Sequence, residues 1–168
     1  MIKREIQPAI EEKLFKGKAI LLFGARQVGK TTLVKAIAEN SGKKHLWLNA
    51  DEADVKELLS DTTSGKLRSI FGSSKLIIID EAQLVENIGT TLKLITDEIK
   101  DVQVIATGSS AFELADKTSE PLTGRKYEFW LYPFSFRELC DNSGLLNEKR
   151  MLEHRLIYGM YPEIHQKP

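Results

Sequence analysis

Apolar residues recur along this chain with two different periods, and the alternation between them predicts the fold. Ile2, Ile6, Ile10 and Leu14 stand four apart, so residues 2–16 read as one amphipathic helix, with Pro8 tolerated near its start and Gly17 closing it. Residues 18–23 are short, apolar and strand-like. Residues 31–39 return to helical spacing through Leu33, Val34 and Ile37, with Gly42 just beyond. A second strand is predicted at 45–49, then a charged helical stretch at 51–59 and a short helix at 62–71. Within 75–80, Leu76, Ile77, Ile78 and Ile79 run without interruption, and three of them are β-branched, the pattern of a strand buried on both faces. Residues 87–100 read as a helix capped by Asn87, with Ile88, Leu92, Ile95 and Ile99 on one face. The fourth and fifth strands fall at 101–107 and 125–132, the latter stopped by Pro133. Residues 111–115 form a short helical piece, 116–124 a polar loop, and 134–141 and 147–158 two further helices.

Strands alternating with helices call for right-handed crossovers. The expected class is therefore α/β: three layers, a parallel sheet with helices on both faces. Such sheets bind ligands at the carboxyl ends of their strands. Gly24, Asp51, Asp80, Thr107 and Tyr132 all lie at or just past those ends, so the polar chemistry gathers at one edge.

A length of 168 residues suits one domain with a real core. Lys plus Arg and Asp plus Glu both number 24, so net charge offers no footprint for nucleic acid and leaves only a local patch open. One cysteine, Cys140, precludes an internal disulfide and points to a reducing compartment. The amino terminus lacks the apolar run of a signal peptide, and the longest apolar runs are too short to cross a membrane. A cytoplasmic protein is expected. His45, His154 and His165 are scattered, and with a single cysteine they assemble no zinc cluster. Cys140 and the strand residues Trp47 and Trp130 read as packed, and Tyr132, Phe134 and Phe136 as core rather than an interaction patch.

The chemistry centres on Gly24-Ala25-Arg26-Gln27-Val28-Gly29-Lys30-Thr31, followed by Thr32. G-x-x-x-x-G-K-T between a strand and a helix is the pattern of a phosphate-binding loop. Gly24 and Gly29 let the backbone turn and approach a polyphosphate. The amide groups then point inward, and the helix start adds about half a positive charge. Lys30 is placed to reach the β- and γ-phosphates and the Thr31 hydroxyl to bind Mg²⁺. The competing reading, a chance Gly-rich turn, is disfavoured by the flanking elements. Asp80 and Glu81 end the most apolar strand. Asp80 is the carboxylate for the metal, Glu81 the general base for an attacking water, and Gln83 a group that orients that water; the alternative is the polar cap of a strand.

Residues 24–31 resemble the Walker A motif and residues 76–81 the Walker B motif of the P-loop NTPases. A Glu directly after the Walker B Asp resembles the additional-strand branch that includes the AAA+ ATPases. More particularly, Gly-Ala-Arg-Gln-Val-Gly-Lys-Thr, Asp-Glu-Ala-Gln, Thr-Gly-Ser-Ser, Leu-Thr-Gly-Arg, Leu-Tyr-Pro-Phe-Ser-Phe-Arg-Glu and Gly-Met-Tyr-Pro-Glu resemble a group of bacterial and archaeal AAA-type ATPases. The resemblance covers roughly residues 15–163. It implies five strands in the order fifth, first, fourth, third, second, and ATP as the nucleotide, held by Gly24 to Thr32. It also implies a polar sensor at the tip of the fourth strand, where Thr107, Ser109 and Ser110 stand and Ser109 is favoured. Arg125 would contact the γ-phosphate of a neighbouring subunit in a homo-oligomer; the alternative is a solvated charge. The expected organisation is a helix at 1–16, a nucleotide-binding core at 17–133 and the start of a helical part at 134–168, in an amino-terminal piece of a longer protein. The expected activity is hydrolysis of Mg·ATP to ADP and phosphate. Its rivals are an ATP-dependent switch, a nucleic-acid accessory motor and a kinase of a small acceptor, which Glu81 beside Asp80 argues against.

Overall fold

Five short strands carry the architecture, and their burial explains their order. The computed structural model describes residues 2–109, 117, 118 and 120–166. Strands β1 (Ala19–Phe23), β2 (His45–Asn49), β3 (Leu76–Asp80), β4 (Gln103–Gly108) and β5 (Lys126–Trp130) form one parallel sheet in the order β2-β3-β4-β1-β5. This is the expected order, and β4 is the strand inserted between β1 and β3. Every residue of β1, β3 and β4 is buried, as their continuous apolar sequences require of strands covered on both faces.

Period-two alternation divides those strands between two cores. Ile20, Leu22, Leu76, Ile78 and Ile105 pack with α1 (Gln7–Glu12) and α2 (Lys30–Asn40) through Ile10, Leu33, Val34 and Ile37. Leu21, Phe23, Ile77, Ile79 and Ala106 pack on the other face with α3 (Ala53–Leu59), α4 (Ser64–Phe71) and α5 (Ile88–Glu98). The register places Asn49 beside Asp80, Leu22 beside Thr107 and Phe23 beside Trp130, so the carboxyl ends form one line.

Several sequence expectations are revised. The helix expected over 2–16 is confined to Gln7–Glu12, because Pro8 fixes a helix start and Ile2 and Arg4 approach it in non-helical backbone. Asn87 adopts φ 54°, and its amide donates to Asp61 (3.1 Å) instead of capping α5. Trp130 is 44% exposed rather than core: β5 is an edge strand, and its indole leans on Phe23 at 5.0 Å between ring centroids. Tyr132 is likewise exposed. The carboxyl-terminal part holds four helices: α6 (Phe136–Ser143), α7 (Leu145–Arg150), α8 (Leu152–Tyr158) and α9 (Pro162–Gln166). α6 begins later than expected because Ser135 and Glu138 form a capping box, each side chain bonding the other's backbone N–H. The predicted helical piece at 111–115 and the candidate Ser110 lie outside the described residues.

Candidate nucleotide site

The loop between β1 and α2 is shaped by two glycines with different duties. A Cβ on Gly24 would lie 2.5 Å from the Leu131 carbonyl oxygen, so no side chain fits between the loop and the strand beside it. Gly29 adopts φ 98°, ψ 21°, a left-handed conformation that suits glycine and opens α2. Ala25, Arg26, Gln27 and Val28 span the turn between them, and Val28 is fully buried beneath it.

Lys30 is 6% exposed and folds back across its own loop, donating to the carbonyls of Gly24 (2.9 Å) and Ala25 (3.1 Å). Burial lowers its pKa and is the largest influence; the nearby carboxylates of Glu81 and Asp80 act the other way. The ammonium is therefore held where its own charge is poorly solvated, ready for an anion. The Thr31 hydroxyl donates to Asp80 Oδ2 at 3.1 Å, and the Thr107 hydroxyl to Asp80 Oδ1. A hydroxyl and a carboxylate oxygen at this separation are the hard-oxygen donor set that Mg²⁺ takes, with water and phosphate completing its shell. Thr107, one of the three sensor candidates at the strand tip, thus orients the Asp80 carboxylate.

Glu81 follows in left-handed backbone, φ 53°, ψ 40°, with its N–H on the Thr107 hydroxyl (3.3 Å). The turn carries its side chain off the strand and toward the loop. Its Oε2 accepts from Gln83 Nε2 (2.5 Å) and from the Ser109 hydroxyl (2.9 Å). Burial pushes its pKa up, but the hydrogen bonds from Gln83 and Ser109 and the Lys30 charge together outweigh it. The carboxyl is held below its ordinary value of 4.5 and stays ionised at neutral pH. Gln83 is buried, and its Oε1 has no hydrogen-bond partner.

These groups converge. Arg26, Gln27, Gly29, Lys30, Thr31, Thr32, Asp51, Glu81 and Gln83 line one hollow of about 610 Å³, with Pro162 of α9 at its rim. A second cavity of about 300 Å³ adjoins it at Gly29 and Thr32, walled by Arg4, Phe134, Asn142, Pro162 and His165. The sequence reading missed Arg4 and His165; an arginine between the regularly spaced Ile2 and Ile6 was the only signal available. Arg125 is not among the groups that converge. It precedes β5 at the amino-terminal edge of the sheet, about 16 Å of strand away from the loop, and pairs with Asp97 at 2.7 Å. Among the described residues no cluster of His, Cys, Asp and Glu could hold a metal without the loop, and no helix is long and apolar enough to cross a membrane.

Residues 16–140 match a family profile described as an AAA domain. By sequence the chain is 27% identical over 124 residues to an uncharacterized protein of Mycobacterium tuberculosis, covering 73% of this chain and 27% of that one. It is 31% identical over 156 residues to the replication factor C large subunit of Pyrobaculum islandicum, covering 88% and 32%. The chain thus spans a third or less of these relatives. Among solved structures, the Walker-type ATPase of Pyrococcus abyssi superposes with a TM-score of 0.64 at 18% identity, over 96% of this chain and 65% of that one. A DNA replication initiation factor does so with 0.59 at 19% identity, over 96% and 57%. The likeness to these structures is one of fold. With the profile spanning most of its length and the strand order its fold requires, this chain belongs to the AAA domain family of P-loop ATPases.

Proposed function

We propose that the chain binds Mg·ATP across residues 24–32 and hydrolyses it to ADP and phosphate. The observation that carries this reading is the meeting, along one hollow, of Lys30, Thr31 with Asp80 bonded behind it, and a Glu81 carboxylate held ionised by Gln83 and Ser109. The amides of the loop and the start of α2 take the phosphates, and Lys30 exchanges its two loop carbonyls for β- and γ-phosphate oxygens. Thr31 and Asp80 hold the metal, whose charge offsets that of the phosphate oxygens. Glu81 accepts a proton from the attacking water, with Ser109 and Gln83 fixing the carboxylate's direction. The 300 Å³ cavity accommodates the base between Phe134, Pro162 and His165.

Phosphate release by wild type and Glu81→Gln, compared at equal occupancy by ATP, tests this. The expected loss is about 10²-fold or more, the usual contribution of a general base. Because the Glu81 pKa is depressed, the acid limb that its protonation gives the rate lies at lower pH than an ordinary glutamate would place it. Equal rates for the two proteins would remove Glu81 from the chemistry.

Sequence kinship with replication factor C large subunits supports a second reading, an accessory ATPase that works with nucleic acid. In that setting the chain would act as a homo-oligomer, with Arg125 reaching a neighbour's γ-phosphate. Stimulation of phosphate release by DNA, falling steeply as salt rises, distinguishes it from a free-standing hydrolase.

A further inference from the structure

Arg4 lies outside every motif, yet it is buried to 7% exposure and each nitrogen of its guanidinium has a partner. Nε donates to Glu138 Oε1 at 3.1 Å, Nη1 to the Val28 carbonyl at 3.0 Å and Nη2 to the Tyr132 carbonyl, while the plane lies over the Phe134 ring at 4.7 Å. Glu138 is itself fully used: Oε1 also accepts from the Glu5 N–H (2.8 Å), and Oε2 from the Ser135 N–H (2.9 Å). A buried ion pair this well satisfied fixes its members in one place.

The Val28 contact is the informative one. Among the described residues there is no cis peptide, and in a trans peptide the C=O and the next N–H point in opposite directions. Holding the Val28 carbonyl from outside therefore turns the Gly29 N–H inward. Nothing local does so, because Gly29 sits at φ 98° in a region where glycine moves freely and the peptide before it can rotate. The first half of the loop is tied by Lys30 through Gly24 and Ala25, but Lys30 must release those carbonyls to reach phosphate. The Arg4 bond to the Val28 carbonyl needs no such release, since Arg4 is not a phosphate-binding group of the loop.

We propose that Arg4 is a positioning residue for polyphosphate binding: its hold on the Val28 carbonyl presets the Gly29 N–H toward the phosphates before any ligand arrives. The proposal rests on the nucleotide-binding reading above and adds to it a residue outside the loop that makes the loop competent.

The probe is Mg·tripolyphosphate, which engages the loop and leaves the base cavity unfilled, titrated by calorimetry well below the melting temperature of each variant. Arg4→Met with Glu138→Gln removes the pair without leaving a buried charge behind. The control is a second buried pair, Arg155–Glu148 (3.1 Å), which joins α7 to α8 and reaches His165 of the base cavity (3.2 Å), left unfilled by tripolyphosphate, but no loop residue; it is removed in the same way by Arg155→Met with Glu148→Gln. Both double variants are expected to melt lower than wild type. The expected affinity loss is about tenfold for the first, the worth of one hydrogen bond to a charged group, and none for the second. Arg4→Lys keeps the charge opposite Glu138 but cannot fork to two carbonyls, so it should fold and still lose several-fold; it decides the matter if the double variant does not fold. Wild-type affinity in the Arg4 variants, or equal loss in both double variants, overturns the proposal. Absence of tripolyphosphate and ATP binding in the wild type overturns the nucleotide reading itself, and this proposal with it.

Discussion

The two ends of the sheet carry similar charges in opposite circumstances. At the amino-terminal edge Lys75 meets Asp101 at 2.5 Å and Arg125 meets Asp97 at 2.7 Å, all four side chains being between 39% and 59% exposed. At the carboxyl edge Lys30 and Asp80 are 6% and 8% exposed, and Lys30 is bonded to its own backbone rather than to a carboxylate. Exposed pairs are solvated and screened, so they contribute little to either folding or chemistry. Buried groups without a full counter-charge keep interaction energy available for a ligand. A site here is therefore marked by charges left incompletely paired rather than by charges well paired.

Arg125 tests that contrast most severely, because the proposed oligomer gives a residue of the exposed edge a role in a neighbour's site. Arg125→Ala should leave the melting temperature unchanged and yet lower phosphate release about 10³-fold at concentrations where the protein assembles. An unchanged rate would return Arg125 to the status of a surface charge.

Lys30→Met should have the next largest effect. Loss of its contacts to two phosphate groups should weaken ATP binding about 100-fold and abolish the rise in melting temperature that ATP produces. Without nucleotide the melting temperature should change little. The sign follows from the depressed pKa: the folded state binds the Lys30 proton less tightly than the unfolded chain does. Its charge is thus a cost to folding below the folded pKa, relieved as pH rises through it, and this cost offsets the two hydrogen bonds to Gly24 and Ala25. A large drop in melting temperature would make Lys30 a structural tie.

The smallest effect belongs to Lys75→Met. Its pair with Asp101 is exposed, so neither melting temperature nor phosphate release should shift measurably at 0.15 M salt, where the Debye length is about 8 Å. A change in nucleotide affinity would show that the two edges communicate and would break the comparison.

The sequence announced the central strands and the loop because both signals are local. Leu76–Ile79 is an unbroken apolar run, and the glycines and lysine of the loop stand at fixed offsets. It was weaker where a neighbour decides. Trp130 has strand chemistry whether its strand is central or at an edge, and only the sheet order exposes it. The spacing predicts one helix over residues 147–158, yet the structure divides them at Met151 between α7 and α8, since helical spacing alone does not reveal a break.

What the chain determined by itself is the alternation of strands and helices and the phosphate loop, since each rests on residues a few positions apart; the strand order came only from the resemblance to a known family. What only the tertiary structure decided is how the loop and the carboxylates are held. Arg4 and Glu138 meet across 134 positions, Ser109 meets Glu81 across 28, and Thr107 meets Asp80 across 27. Contacts of that separation leave no periodicity in a sequence, because they form when the sheet brings strand ends into register and the packed helices return the chain to them.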